Sequence, residues 1–360
     1  MIDAMNNGWT GGQYSLYRAA LGVGVAALFI GMVRQLTPLQ LGGLLPTPVV
    51  VIFCALFAIG LWDRWMALAL AVNSCAVCVK VPEPFVANWV VIGGLMVAHL
   101  FMPAEPYGSW SARGRTDPGA DWRMPPYFYA AAWFVLALCY GYRGITTLRN
   151  PPFGFDLAMA NTYRLYVWAG LAFPFLALFR PLRLSVWLML LMLQIVIPSG
   201  LEPMAFGLLL LHGLTFDPAW IKGEGNGVEP IFYDGHCGLC HRAVRFVLAE
   251  DVNGAAFRFA PLDSDAFRAA VSEGERAKLP DSMVVKTADG TVLTRSTAFL
   301  HILRRLGGLW RVIALFGGLV PALLRDAAYN GVARIRRRLF AAPSDACPVL
   351  PKELRQRFDY

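Results

Sequence analysis

Ile231-Phe232-Tyr233-Asp234-Gly235-His236-Cys237-Gly238-Leu239-Cys240 runs from an apolar stretch through an Asp-Gly turn into two cysteines spaced C-x-x-C. The pattern predicts a strand, a tight turn and a helix whose first turn carries both thiols. The first amides of a helix lack internal acceptors, and their partial positive charge favours a thiolate over a thiol. Cys237, at the helix start, is therefore the expected nucleophile. Cys240, one turn later, is the expected resolving thiol, slower and more buried, so that the pair exchanges two electrons with a partner disulfide. His236 is placed to stabilise the thiolate or to protonate a leaving thiol, and Arg242 adds positive charge near the helix start. Asp234 has two candidate roles, holding the turn through its side chain or accepting the Cys240 proton during resolution. Two other readings of the pair stay open. One is a metal site completed by His236 and His241, against which stands the poor convergence of adjacent residues on one tetrahedral ion. The other is a structural pair.

The motif resembles that of the DCC-type thiol-disulfide oxidoreductases, a thioredoxin-like family named for its Asp and two Cys; Asp234, Cys237 and Cys240 occupy those positions. The resemblance extends over most of residues 228 to 347. Phe257-Arg258-Phe259-Ala260-Pro261-Leu262 is similar to the family's second strand, and Met283 to Thr287 with Asp289-Gly290 to its hairpin. Ser296 to Leu300 opens a helix, and Val320-Pro321, Asp326 and Tyr329 fall where its closing helices lie. An α/β thioredoxin-like fold and redox chemistry are what this resemblance implies; it names no substrate. Such folds usually place a cis-proline before the strand facing the thiols. Pro280 is the nearest candidate, although Asp281 and Ser282 separate it from Met283.

Charge divides the chain. Residues 1–220 hold 21 Asp, Glu, Lys and Arg, against 35 in the 140 residues that follow. With a mean hydropathy of +0.49, this implies a membrane-embedded first part (1–220), a Gly-rich linker (221–228) and a thioredoxin-like domain with a basic tail (229–360). Eight apolar runs are the expected spans of a multi-pass α-helical domain: 14–33, 49–62, 65–79, 86–102, 127–142, 165–179, 184–197 and 204–216. The first follows a short polar tail without a basic region and reads as a retained span, not a signal peptide. With eight spans and a cytoplasmic C-terminal domain, Arg64, Arg113, Arg115, Arg123, Arg180 and Arg183 lie inside, and Arg34, Lys80, Arg143 and Arg149 outside, which favours this orientation in a bacterial-type inner membrane. Arg334, Arg336, Arg337 and Arg338 suit either an anionic leaflet or a solvated helix face. These loops and the basic run account for the +8 net charge, so nucleic-acid binding is not called for.

The first part also resembles the horizontally transferred transmembrane domain related to vitamin K-dependent carboxylases, through Phe101-Met102-Pro103, Gly108-Ser109-Trp110-Ser111 and Leu214 to Trp220. No catalytic residue is carried over. Among polar residues in apolar runs, Arg18 and Arg164 are expected to snorkel from helix ends, and His99 and His212 to be hydrogen-bonded bundle residues in preference to metal or haem ligands. Cys75 and Cys78 form a second C-x-x-C on one helix face. They are secondary redox candidates facing a quinone, or small packing residues. Cys347 is a third candidate thiol or a buried apolar residue. The resulting expectation is a membrane-anchored thiol-disulfide oxidoreductase with no metal, whose partners are a disulfide-containing protein or small thiol, the lipid bilayer and a quinone or lipid ligand. The opposing expectation is a lipid or small-molecule binding or transport protein whose thiol domain is a redox sensor or metal-binding module.

Overall fold

The structure, a computed structural model, describes residues 5–37, 42–81, 83–150, 157–196, 205–339 and 351–359. Cys347 lies outside them. The chain forms two compact units: Met1–Asn7, Ser15–Ala104 and Met124–Asp217 in one, and Gly8–Tyr14, Glu105–Arg123 and Pro218–Tyr360 in the other.

In the first unit the apolar runs fold as helices α1 (Gly11–Val33), α2 (Thr47–Ile59), α3 (Asp63–Lys80), α4 (Glu83–His99), α5 (Pro126–Arg149), α6 (Leu157–Leu176), α7 (Arg183–Val196) and α8 (Ala205–Thr215). Eight membrane spans are nonetheless not supported. Among the described residues only α1, with 23 residues and a hydropathy of 1.9, is by itself long and apolar enough to cross a bilayer. Helices α2, α4, α7 and α8 have 13, 17, 14 and 11 residues, short of the ~20 that a perpendicular span needs. Longer α3, α5 and α6 carry Asp63, Arg64, Lys80, Arg143, Arg149 and Arg164 among their apolar residues.

Packing explains several of these polar residues. Arg18, expected to snorkel, is 1% exposed and places Nη1 3.2 Å from Asp63 Oδ2, which is also 3.4 Å from His99 Nε2. Its charge is met by a carboxylate inside the unit instead of by water at a helix end. Arg143 is likewise not a loop cation: it is buried and donates to Gln194 Oε1 at 2.9 Å, so it leaves the loop-charge tally for orientation. Arg164 is exposed and donates to Asn161 Oδ1. His212 Nε2 lies 2.7 Å from Tyr140 Oη. Helices α5 and α6 approach closely at glycines; a Cβ on Gly170 would sit 2.5 Å from the Gly141 Cα. Small residues thus let the two backbones meet, as in helix pairs packed through small-residue faces.

In the second unit, β1 (Glu229–Tyr233), β2 (Phe257–Pro261), β3 (Val284–Lys286) and β4 (Val292–Thr294) form a mixed sheet in the order β2-β1-β3-β4. The β1–β2 pair is parallel, and the β1–β3 and β3–β4 pairs are antiparallel. Helices α9 (Gly238–Glu250), α10 (Asp265–Ala270), α11 (Glu273–Arg276), α12 (Arg295–Leu306), α13 (Gly308–Leu319), α14 (Ala322–Leu339) and α15 (Lys352–Arg355) surround it. Alternation along β1 sends Ile231 and Tyr233 into one apolar cluster with Val244, Val247 and Ile302 of α9 and α12, while Phe232 packs on the opposite face against Phe267 of α10. Ser264 caps α10, its Oγ accepting from Phe267 N at 3.2 Å.

Two connections are held by hydrogen bonds to the rest of the unit. The Gly-rich linker is pinned, because buried Arg305 donates to the carbonyls of Glu224, at 3.0 Å, and Gly227. The chain end is not simply a basic tail: Phe259 N donates to Arg357 O and Asp359 N to Phe259 O, at 2.9 and 2.8 Å, covering the β2 edge. Phe358 joins the core. Arg334 is exposed on α14, while the side chains of Arg336, Arg337 and Arg338 lie outside the described ones. Buried Glu250, at the end of α9, gathers donors from the Gly8–Tyr14 segment of the same unit and from α13: Thr10 Oγ1, Gly12 N at 2.8 Å and Trp310 Nε1 at 2.5 Å. Burial raises its pKa, outweighing those hydrogen bonds and the nearby Arg123.

Candidate active site

The β1–α9 corner is built by side chains that replace missing backbone partners. Asp234 Oδ1 accepts from His236 N at 2.9 Å, and Asp234 O accepts from Cys237 N at 3.2 Å, which closes the turn in the manner typical of aspartate. The Asp234 side chain thus makes a turn hydrogen bond. Cys237 is the N-cap of α9 with extended backbone angles, φ −110° and ψ 112°, and its Sγ accepts from Cys240 N at 3.4 Å. The sulfur thus takes the place of the Ser or Asp oxygen that ordinarily satisfies a first-turn amide. Both cysteines are free thiols. They are 3% and 7% exposed, Cys237 the lower, so the expected order of burial is not found. The capping rotamer folds Cys237 back over the helix start and into the cluster around Ile231 and Tyr233.

The two histidines differ in burial. His236 is exposed, and its described hydrogen bond is made through its backbone N. His241 is buried, with Nε2 2.8 Å from Gly235 O and its ring edge-on to Tyr233 at 5.9 Å. Since a carbonyl only accepts, Nε2 carries the proton. His241 therefore braces the turn from the next helical turn. Its spacing of four residues from Cys237 was the available signal, because i and i+4 share a helix face. Among the described residues no group of three or more His, Cys, Asp or Glu is arranged to hold a metal ion.

Residues distant in sequence complete the surroundings of Cys240. Asp326 Oδ1 accepts from Ser296 N at 3.3 Å and from Ser296 Oγ, placing a carboxylate at the start of α12. Tyr329 Oη accepts from Met283 N at 3.3 Å. These bonds hold α14 against α12 and β3. Between them opens an apolar cavity of about 470 Å³ whose wall includes Leu239, Cys240, Ala243, Phe299, Tyr329 and Val332. Arg295 borders it in a left-handed backbone conformation, φ +51°, with Nε buried and without a hydrogen-bond partner, a strain of order 1 kcal/mol or more for a non-glycine residue. Pro280 lines a separate, polar cavity, and no peptide bond among the described residues is cis.

The second C-x-x-C lies in the last turns of α3. Cys75 is exposed, Cys78 is half-buried, and the Cys78 Sγ lies 3.7 Å from Val86 O.

Against known proteins, the DCC1-like thiol-disulfide oxidoreductase family matches residues 231–342. The uncharacterized protein YuxK of Bacillus subtilis is 33% identical over 132 residues, which is 36% of this chain and 91% of that protein. A chloroplastic DCC family protein of Arabidopsis thaliana is 32% identical over 133 residues, 36% of this chain and 76% of its own. No solved structure matches significantly.

Proposed function

The chain belongs to the DCC1-like thiol-disulfide oxidoreductase family through its C-terminal region, and from that premise we propose a membrane-anchored oxidoreductase whose working dithiol is Cys237 and Cys240. Cys237 attacks a substrate disulfide, one substrate thiolate leaves, and Cys240 displaces the other to close the Cys237–Cys240 disulfide. Two electrons pass from protein to substrate, and the reverse sequence oxidises a dithiol. The observation that carries this reading is the Cys237 Sγ accepting the Cys240 amide at the start of α9. This bond sets the sulfur against the helix start, where backbone amides lack internal acceptors. The sheet order and strand directions suit a thioredoxin-like domain. In this reading His236 supplies a solvent-side proton to the leaving thiol, and Asp234 keeps the turn in shape.

Membrane anchoring is proposed from α1. It is supported by α13 and α14, which together pass the same test of apolarity but are bent by 113° and expose Leu315, Phe316, Leu319 and Leu323. Apolar side chains beside Arg325 and Arg334 suit the headgroup region of an anionic leaflet. We place the C-terminal domain on the cytoplasmic side of a bacterial-type inner membrane, acting on a disulfide-containing protein or a small thiol. The chemistry is tested by mixing the reduced full-length protein, in lipid nanodiscs, with bis(2-hydroxyethyl) disulfide. Wild type should oxidise with one disulfide formed per chain, and Cys237→Ser should not react; equal rates in the two would refute the assignment. A periplasm-only reporter fused after Tyr360 should be silent, and its activity would reverse the orientation.

A further inference from the structure

Residues Glu105–Arg123 fall outside the stretch matched by the family, yet belong to the same compact unit as α9. They are fastened to that helix. Arg245 donates to Thr116 O at 2.9 Å and to Arg115 O, and Tyr107 Oη donates to Arg242 O at 3.2 Å. Burial pushes the Tyr107 phenol up to about 12, so it remains a neutral donor. Between loop and helix lies a cleft of about 530 Å³ whose walls include Arg113, Arg115, Arg242 and Arg245 and no carboxylate. Glu105 pairs with Arg115 at 3.0 Å, and burial lowers the Arg245 pKa against the opposing pull of Tyr107 and Asp117. The four guanidiniums still outnumber the acids. Arg113 is held over the Trp110 ring, 3.5 Å from its centroid, which restricts its freedom without neutralising it.

The cleft adjoins the thiol corner. His241 lines it and on its other side meets Gly235 O in the thiol turn. Arg242 is five residues beyond Cys237, so at ~1.5 Å rise per residue it stands about 7.5 Å along the helix axis from the nucleophile. With ~3.6 residues per turn Arg242 also lies about 140° around the axis from Cys237, so a molecule the size of a short peptide must pass around the helix start to span the two.

Resting on the oxidoreductase reading, we propose that this basic cleft binds the anionic groups of the substrate, and that the substrate is a small disulfide or thiol carrying carboxylates. Guanidiniums present forked donors that match carboxylate geometry, and a cleft of one sign of charge raises the local concentration of anions. In the step itself, the Cys237 thiolate attacks one sulfur of the bound disulfide, an S–S bond forms to the protein, and the departing anionic thiolate is released. Cys240, having given its proton to solvent, then expels the second.

Two measurements on the full-length protein in nanodiscs separate this inference from the one beneath it. The first is calorimetric binding of S-methylglutathione, which carries the carboxylates but no exchangeable thiol. It should bind wild type, inorganic phosphate should compete, and Arg113→Gln/Arg242→Gln should weaken binding at least tenfold, whereas Lys278→Gln, on the separate polar cavity, should not. The second is the ratio of single-turnover rates with glutathione disulfide and with uncharged bis(2-hydroxyethyl) disulfide, which should fall about tenfold in the same double variant and also with rising salt. Absence of binding, or binding indifferent to both arginines, overturns the cleft assignment even if both disulfides are reduced. Arginine-dependent binding without reduction of either disulfide overturns the substrate assignment and the oxidoreductase reading together, leaving an anion site of another purpose.

Discussion

Two C-x-x-C pairs share this chain, and their contexts are opposite. Cys237 and Cys240 open α9, where amides without internal acceptors point outward; the Cys237 Sγ accepts one of them. Cys75 and Cys78 close α3, near the end where carbonyls lack donors, and the Cys78 Sγ faces the carbonyl of Val86, to which only a protonated thiol can donate. The first sulfur receives a hydrogen bond at the amide end of a helix, and the second gives one near the carbonyl end. Spacing alone therefore does not identify a reactive dithiol. Its place along the helix is what supports the proposal for Cys237 and Cys240.

The sharpest way to break this contrast is substitution at the two pairs. Cys237→Ser should lower the rate of disulfide exchange by roughly 10³-fold or more, since the attacking atom is lost; a stopped-flow rate within tenfold of wild type would return the two pairs to equal footing. Next in size is the support beneath the first pair. Phe259 is fully buried in the cluster that holds Cys237, and Phe259→Ala should destabilise the C-terminal unit by about 3–5 kcal/mol, read by pulse proteolysis in urea.

A smaller effect tests the far end of the same helix. The folded pKa of Glu250 is raised by burial. A carboxyl of this kind stabilises the fold most below the ordinary carboxylate range, and that contribution is lost as pH rises through the folded value. The melting temperature of the C-terminal unit should accordingly fall with rising pH over that window, and Glu250→Gln should flatten the slope. An unchanged slope would show that Glu250 ionises without cost. The smallest effect belongs to the other pair: Cys75→Ser/Cys78→Ser should change turnover less than twofold, and a larger loss would make α3 part of the electron path.

What could be read from the sequence follows the same division between local and distant partners. The turn at Asp234, the strand before it and the helix after it depend on residues within a few positions of one another, and all were legible. So were the helical runs of the first unit. Their reading as eight spans is not supported, because among the described residues α2, α7 and α8 are shorter than a perpendicular crossing needs at ~1.5 Å per residue. Partners far apart left no trace in pattern: Arg18 with Asp63, Phe358 with Phe259, and the loop at 105–123 with α9. Arg18 and Arg143 looked like helix-end cations because a sequence does not show which carboxylate or amide a folded chain will bring to them.

The central claim is that Cys237 attacks and Cys240 resolves. It is tested most directly by exposing reduced Cys240→Ser to cell extract, quenching with acid and locating adducts by mass spectrometry. Without the resolving thiol, mixed disulfides should accumulate on Cys237 and be absent from the paired Cys237→Ser control. Adducts on Cys75 or Cys78 in place of Cys237, or equal yields from both variants, would contradict the account.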